Sequence, residues 1–204
     1  MKIDQKIEEI LQEKRVGNFG FGSEHLESFD KRLKELKRKS NRVAISKIFA
    51  IKDFESDKIS YAQARDRSFR ERVNLEVGGK IEVEPKERDF KGLYVWFSEN
   101  NAFYVGIGGN IIKRLHQHID KPNHFSASMA YKIAKLVYTD IKDEETGKDL
   151  KRKDFPKNKI RDVQVWLRKQ AVAFIEIEDD DELAAFEIFC ANKLEAILNT
   201  FETH

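Results

Sequence analysis

Apolar positions recur at two periods along this chain, and the changes of period outline its elements. Residues 4–15 carry Ile7, Ile10 and Leu11 at helical spacing, which predicts a short amphipathic helix. The glycine- and aromatic-rich run 17–23 interrupts it. That run lacks the Lys-Ser/Thr ending of a P-loop, so it reads as a connector. Ser23 supplies a cap for a second helix whose apolar stripe is Leu26, Phe29, Leu33 and Leu36. Residues 43–51 are apolar over a length that fits either a strand or a buried helix segment. Ser60 caps a predicted helix that runs to Arg72. Leu75, Val77, Ile81 and Val83 alternate around Gly78-Gly79, a pair suited to the positive φ angles of a two-residue turn, and predict a hairpin.

A stronger pattern follows. Two runs of aromatic and β-branched residues, 93–97 and 102–107, flank the turn formers Ser98-Glu99-Asn100-Asn101 and predict a second hairpin. Gly108-Gly109-Asn110 ends it, and Asn110 is placed as the N-cap of a helix with Ile111, Ile112 and Leu115 on one side. Arg114 and His118 stand four apart and share a face of that helix. After a loop at 121–124, Ser126 or Ser128 starts a helix with Met129, Ile133, Leu136 and Val137. Residues 140–158 are charged and turn-rich, a surface excursion. Residues 160–169 read as helix, with Val163 and either Trp166 or Leu167 inward. Residues 171–177 alternate as a third strand. The carboxylates at 179–182 suit a helix N-terminus rather than a metal cluster. The last helix, 181–197, has Leu183, Phe186, Cys190, Leu194 and Ile197 as its stripe, with Glu187 beside them.

Length and charge refine this outline. The 204 residues suit one domain plus an extension, with the boundary drawn between 1–89 and 90–204. The net charge of +2 conceals an uneven distribution. Lys31, Arg32, Lys34, Lys37, Arg38, Lys39, Arg42 and Lys47 face the single acid Glu35, and Arg65, Arg67, Arg70 and Arg72 follow. Such clusters are either solvated helix faces or phosphate-contacting surfaces, which add affinity without sequence choice. The lone Cys190 excludes an internal disulfide and fits a reducing compartment. No apolar run approaches the roughly 18 residues of a spanning helix. The expectation is a cytoplasmic protein without membrane contact.

Gly92-Leu93-Tyr94, then Tyr104-Val105-Gly106, resembles the two halves of the motif that names the GIY-YIG endonuclease superfamily. The later family positions are filled in order: Arg114 ten residues after Tyr104, His118 four beyond it, Glu187 on a helix, and Asn199 near that helix's end. The stretches 126–130 and 199–204 resemble a small bacterial branch. Ile107 departs from the pattern, standing where many members have Lys.

The resemblance implies an α/β (α+β) fold: a small three-stranded antiparallel sheet flanked by helices, behind a mainly helical N-terminal extension. It implies a hydrolase that cuts DNA phosphodiesters with one divalent ion, Mg²⁺ or Mn²⁺, held by Glu187. From its position alone Glu187 reads as a structural ion pair with Arg114 or a lysine, since an unpaired buried charge is costly. By resemblance Arg114 stabilises the attacked phosphate and Tyr94 is the general base or water-orienting group. Tyr104 supports it, and His118 positions Tyr94 or shares proton transfer. Gly92, Gly106 and Asn199 support the site structurally. Lys31, Lys34, Arg38, Arg42 and Lys113 are candidate nucleic-acid contacts. Double-strand cutting would need two sites, as in a homodimer. The alternative is a catalytically weak or silent nucleic-acid-binding module on the same scaffold.

Overall fold

A computed structural model describes residues 23–120, 128–143, 146–148, 150–151 and 153–199. The helix expected at 4–15, the connector after it, the loop at 121–124, Ser126, Arg152 and the tail 200–204 lie outside the described residues. So do the side chains of 23–26, and with them the roles given to Ser23 and Leu26. By compactness the chain forms two units, Met1–Lys34 and Glu35–His204. Helix α1, Ser23–Lys37, buries Phe29, Leu33 and Leu36 at helical spacing and leaves Lys31 and Lys34 exposed.

The larger unit is built on an antiparallel sheet of β1 (Val43–Ala44), β2 (Gly92–Ser98), β3 (Asn101–Gly108) and β4 (Ala171–Glu176) in the order β1-β4-β2-β3. The sheet therefore has four strands rather than three. The extra strand is only two residues long, too short for a periodic signal, and pairs Val43 with Val172. The ambiguous run 43–51 proves to be both alternatives in succession, since α2 (Ile45–Phe49) starts directly after β1. Ser60 caps α3 (Tyr61–Arg72), its side chain accepting from the Gln63 N–H.

The hairpin expected at 75–83 does not form. Arg70 donates to the carbonyls of Glu76 and Gly79, taking acceptors a ladder would need, and Val77 is 99% exposed. The neighbouring arginines are likewise anchors. Arg67 binds the Lys47 and Ile48 carbonyls, while Arg72 binds Glu176 and the Arg88 carbonyl. These guanidinium groups bind backbone carbonyls at a helix end and in turns.

Helices α4 (Ile111–Asp120), α5 (Ser128–Val137) and α6 (Lys157–Arg168) complete the core on one face of the sheet, where Tyr94 and Trp96 join Ile111, Leu115, Ala134, Val163 and Leu167. Of the two inward candidates on α6 it is Leu167 that is buried, with Trp166 38% exposed. On α5 the buried side chains are Met129, Ala130 and Ala134, and the larger Leu136 and Val137 face out. Leu93, Val95 and Val105 alternate to the other face, where α7 (Asp180–Lys193) packs with Leu183, Phe186 and Cys190. Asp179 caps α7 by accepting from the Glu182 N–H. Ile197 is 80% exposed and leaves the expected stripe, because α7 ends at Lys193; Ala196 and Leu198 are buried in its place. No described helix is long and apolar enough to cross a membrane.

Candidate active site

Strand alternation, one turn of helix and two glycines assemble the site. Tyr94 on β2 pairs with Gly106 on β3, and Trp96 with Tyr104, so both tyrosines point from the α4 face. Their rings lie 6.2 Å apart. A Cβ on Gly106 would sit 2.5 Å from the Tyr94 hydroxyl oxygen, so only glycine leaves the tyrosine its place. Gly92 acts one strand over: a Cβ there would sit 2.1 Å from the Ile175 carbonyl oxygen, so it permits close approach of β2 and β4.

Helix α4 brings the other two groups. His118 Nε2 lies 2.8 Å from the Tyr94 hydroxyl, with its ring edge-on to both Trp96 and Tyr104. Arg114 forms hydrogen bonds with the hydroxyls of Tyr94 and Tyr104. Its Nη1 donates to Gln117 Oε1 at 3.1 Å. Glu187, half-buried on α7, is close enough for its charge to act on Tyr104. The helix that carries it packs against β3, the edge strand. Asn199 anchors the segment beyond α7. Its side-chain oxygen accepts from the Val105 N–H and its amide donates to the Val105 carbonyl, each at 2.8 Å.

Burial sets the protonation states. Tyr94 is fully buried, which pushes its hydroxyl well above the usual tyrosine range; Tyr104 adds to the rise and Arg114 opposes it. Tyr104 is raised by burial and by Glu187, and lowered by Arg114. His118 is pushed down to about 3 by burial first and by Arg114 second, so its ring is neutral at physiological pH. Burial raises the Glu187 carboxyl.

The His118 shift predicts a pH signature. The unfolded ring titrates near 6.5 and the folded one near 3, so the unfolded state binds more protons between those values. Stability contributed by the neutral ring is complete above 6.5 and is lost as pH falls toward 3. Urea unfolding of wild type and His118→Gln across this window should show the wild type losing stability more steeply toward acid. Parallel curves would mean that His118 is not buried neutral.

The candidate nucleic-acid contacts do not all gather here. Lys113 is exposed on α4, one residue before Arg114, and Arg38 is exposed near the end of α1. Lys31 and Lys34 belong to the Met1–Lys34 unit. Arg42 is half-buried at the hairpin's turn end, stacked 3.9 Å over Phe97 and donating to the Glu99 and Lys37 carbonyls. Sequence reasoning missed Asp89, a buried carboxylate that accepts from the Ile112 and Lys113 N–H groups at 2.9 and 3.0 Å. It performs the side-chain capping expected of Asn110, whose backbone carbonyl accepts from Arg114 N–H. The only hint was an acid three residues before β2.

A model of the GIY-YIG catalytic domain matches residues 75–204, and the chain belongs to that family. No curated protein and no solved structure matches it. The matched domain is a nuclease-type hydrolase domain, which implies a nucleic-acid substrate, and nucleases of this family generally depend on a divalent metal.

The donor chemistry fits such an ion. Glu187 supplies a hard carboxylate oxygen close enough to Tyr104 for its charge to act there, and burial raises its pKa. Among the described residues no three His, Cys, Asp or Glu side chains cluster as a metal cage. A single carboxylate suits Mg²⁺ or Mn²⁺, since Mg²⁺ keeps several waters and takes few protein ligands.

Proposed function

We propose that this chain is a cytoplasmic, metal-dependent endonuclease that hydrolyses phosphodiester bonds in DNA. The observation that carries the reading is the convergence of Tyr94, Tyr104, Arg114 and His118 in one hydrogen-bonded cluster beside Glu187.

In the resting site Tyr94 keeps its proton, because burial outweighs the pull of Arg114. His118 is neutral and meets the Tyr94 hydroxyl through Nε2, and its lowered basicity suits it to orient Tyr94 rather than to take up a proton and become imidazolium. Arg114 offers fixed positive charge to phosphate oxygens as negative charge develops on them. Tyr104 shares Arg114 with Tyr94 and keeps the guanidinium beside both hydroxyls. Glu187 would hold the divalent ion, which supplies charge stabilisation and lowers the pKa of bound water. Lys113 and Arg38 are exposed cations that would contact phosphate, while Arg42 serves the hairpin turn. Each site cuts one strand, and cutting both requires two sites or two successive nicks.

The test is incubation of plasmid and a panel of branched DNAs with Mg²⁺ or Mn²⁺, beside EDTA controls. Metal-dependent nicking is the expected result. Salt-sensitive DNA binding with no cutting in any metal would overturn the enzyme reading and leave a binding module.

A further inference from the structure

We propose that Asp89 is a positioning residue for the nuclease reaction: its carboxylate joins the approach to β2, the first turn of α4 and Tyr61 of α3, and so fixes the register at which α4 presents Arg114 and His118. The inference rests on the nuclease reading of the site.

Asp89 lies outside the motif and touches none of the candidate catalytic side chains, yet it is 8% exposed and accepts four hydrogen bonds. Oδ1 takes the Phe90 and Ile112 N–H groups, each at 2.9 Å. Oδ2 takes the Lys113 N–H at 3.0 Å and the Tyr61 hydroxyl at 3.1 Å. Phe90 also receives the Ile111 N–H on its carbonyl at 2.9 Å. One carboxylate thereby ties the start of the strand bearing Tyr94 to the start of the helix bearing Arg114 and His118.

Register matters because helix geometry is unforgiving. A slip of one residue would rotate Arg114 by about 100° and shift it about 1.5 Å along the axis. The Tyr94–His118 contact at 2.8 Å and the two Arg114 hydrogen bonds would not survive such a change together. Asn110, the residue at the ordinary cap position, supplies only backbone to this turn, so the register is set from outside the helix. The two Asp89 oxygens divide the work. Asn in its place retains one acceptor and loses the other; Ala loses both. Tyr61→Phe removes one donor and leaves the carboxylate intact.

The experiment compares Asp89→Asn, Asp89→Ala and Tyr61→Phe with wild type. It measures kcat and KM on a nicked-plasmid assay, thermal midpoints, and the Arg114 Nε–H resonance by ¹H–¹⁵N NMR, assigned by its absence in Arg114→Lys. Expected are unchanged KM for DNA, a fall in kcat of about 10- to 100-fold for the Asp89 variants, and a displaced Arg114 resonance. The effects should be graded, with Ala largest and Tyr61→Phe smallest. An Arg114 resonance that stays in place in Asp89→Asn, with activity falling only as the folded fraction falls, would overturn the proposal. If the Asp89 variants do not fold, Tyr61→Phe carries the same comparison. A wild type that cuts no DNA while the resonance still moves would sink the nuclease reading and leave the positioning role standing.

Discussion

Glu187→Gln should reduce metal-dependent DNA cleavage by about 10³-fold or more, the upper scale for losing one electrostatic catalytic group. The same substitution should leave the metal-free protein at least as stable as wild type at neutral pH. Burial raises the Glu187 carboxyl, so its folded pKa lies above its unfolded value. Such a group favours the folded state when protonated, and that contribution is lost as pH rises through the two values. At neutral pH wild type therefore carries a penalty that Gln lacks. Mg²⁺ or Mn²⁺ should offset it, raising the wild-type melting temperature while leaving Glu187→Gln where it was, because an ion that binds only the folded state stabilises by mass action. Cleavage assays and thermal melts with and without metal test both halves. Residual cleavage close to wild type would place the metal elsewhere. Equal metal shifts in the two proteins would do the same.

The second large effect concerns folding. Gly92→Ala places a Cβ 2.1 Å from the Ile175 carbonyl oxygen and 3.0 Å from its carbon, at the end of the β2–β4 pairing. The obstacle is backbone, which no rotamer change moves aside. Strands β2 and β4 would have to part where Gly92 faces Glu176. The expected loss is about 3 kcal/mol or more, the upper range for overpacking, and a fall in melting temperature of roughly 10 °C for a chain of this size. Circular dichroism melts of the variant test it; an unchanged midpoint would show that the two strands separate freely.

The same glycine shows how far the sequence could be read. Its place in Gly92-Leu93-Tyr94 identified it, but its reason, a carbonyl on a strand more than eighty residues away, is tertiary. The three longer strands were legible because they are short aromatic and β-branched runs between turn formers. β1 was not, because two residues carry no period. Residues 75–83 misled because alternation alone cannot show that arginine has taken the carbonyls. Basic residues were the least legible class throughout. A run of arginines looks the same whether it meets water, phosphate or the chain's own backbone. Arg168 is the extreme case, fully buried, with hydrogen bonds to Asp120 and to the carbonyls of Phe54 and Ile119. Within the candidate site, the family pattern named Tyr94, Tyr104, Arg114, His118 and Glu187. It could not reveal that burial holds His118 neutral, or that Asp89 stands behind the helix presenting two of them.

The Asn199 side chain has a consequence for solubility. β3 forms one margin of the sheet, and an open margin is a template onto which another chain can add a strand. Here the Val105 N–H and carbonyl are both occupied by Asn199, and the Phe103 carbonyl by the Leu198 N–H. One amide side chain imitates the backbone of a missing fifth strand and blocks this border to sheet-to-sheet polymerisation.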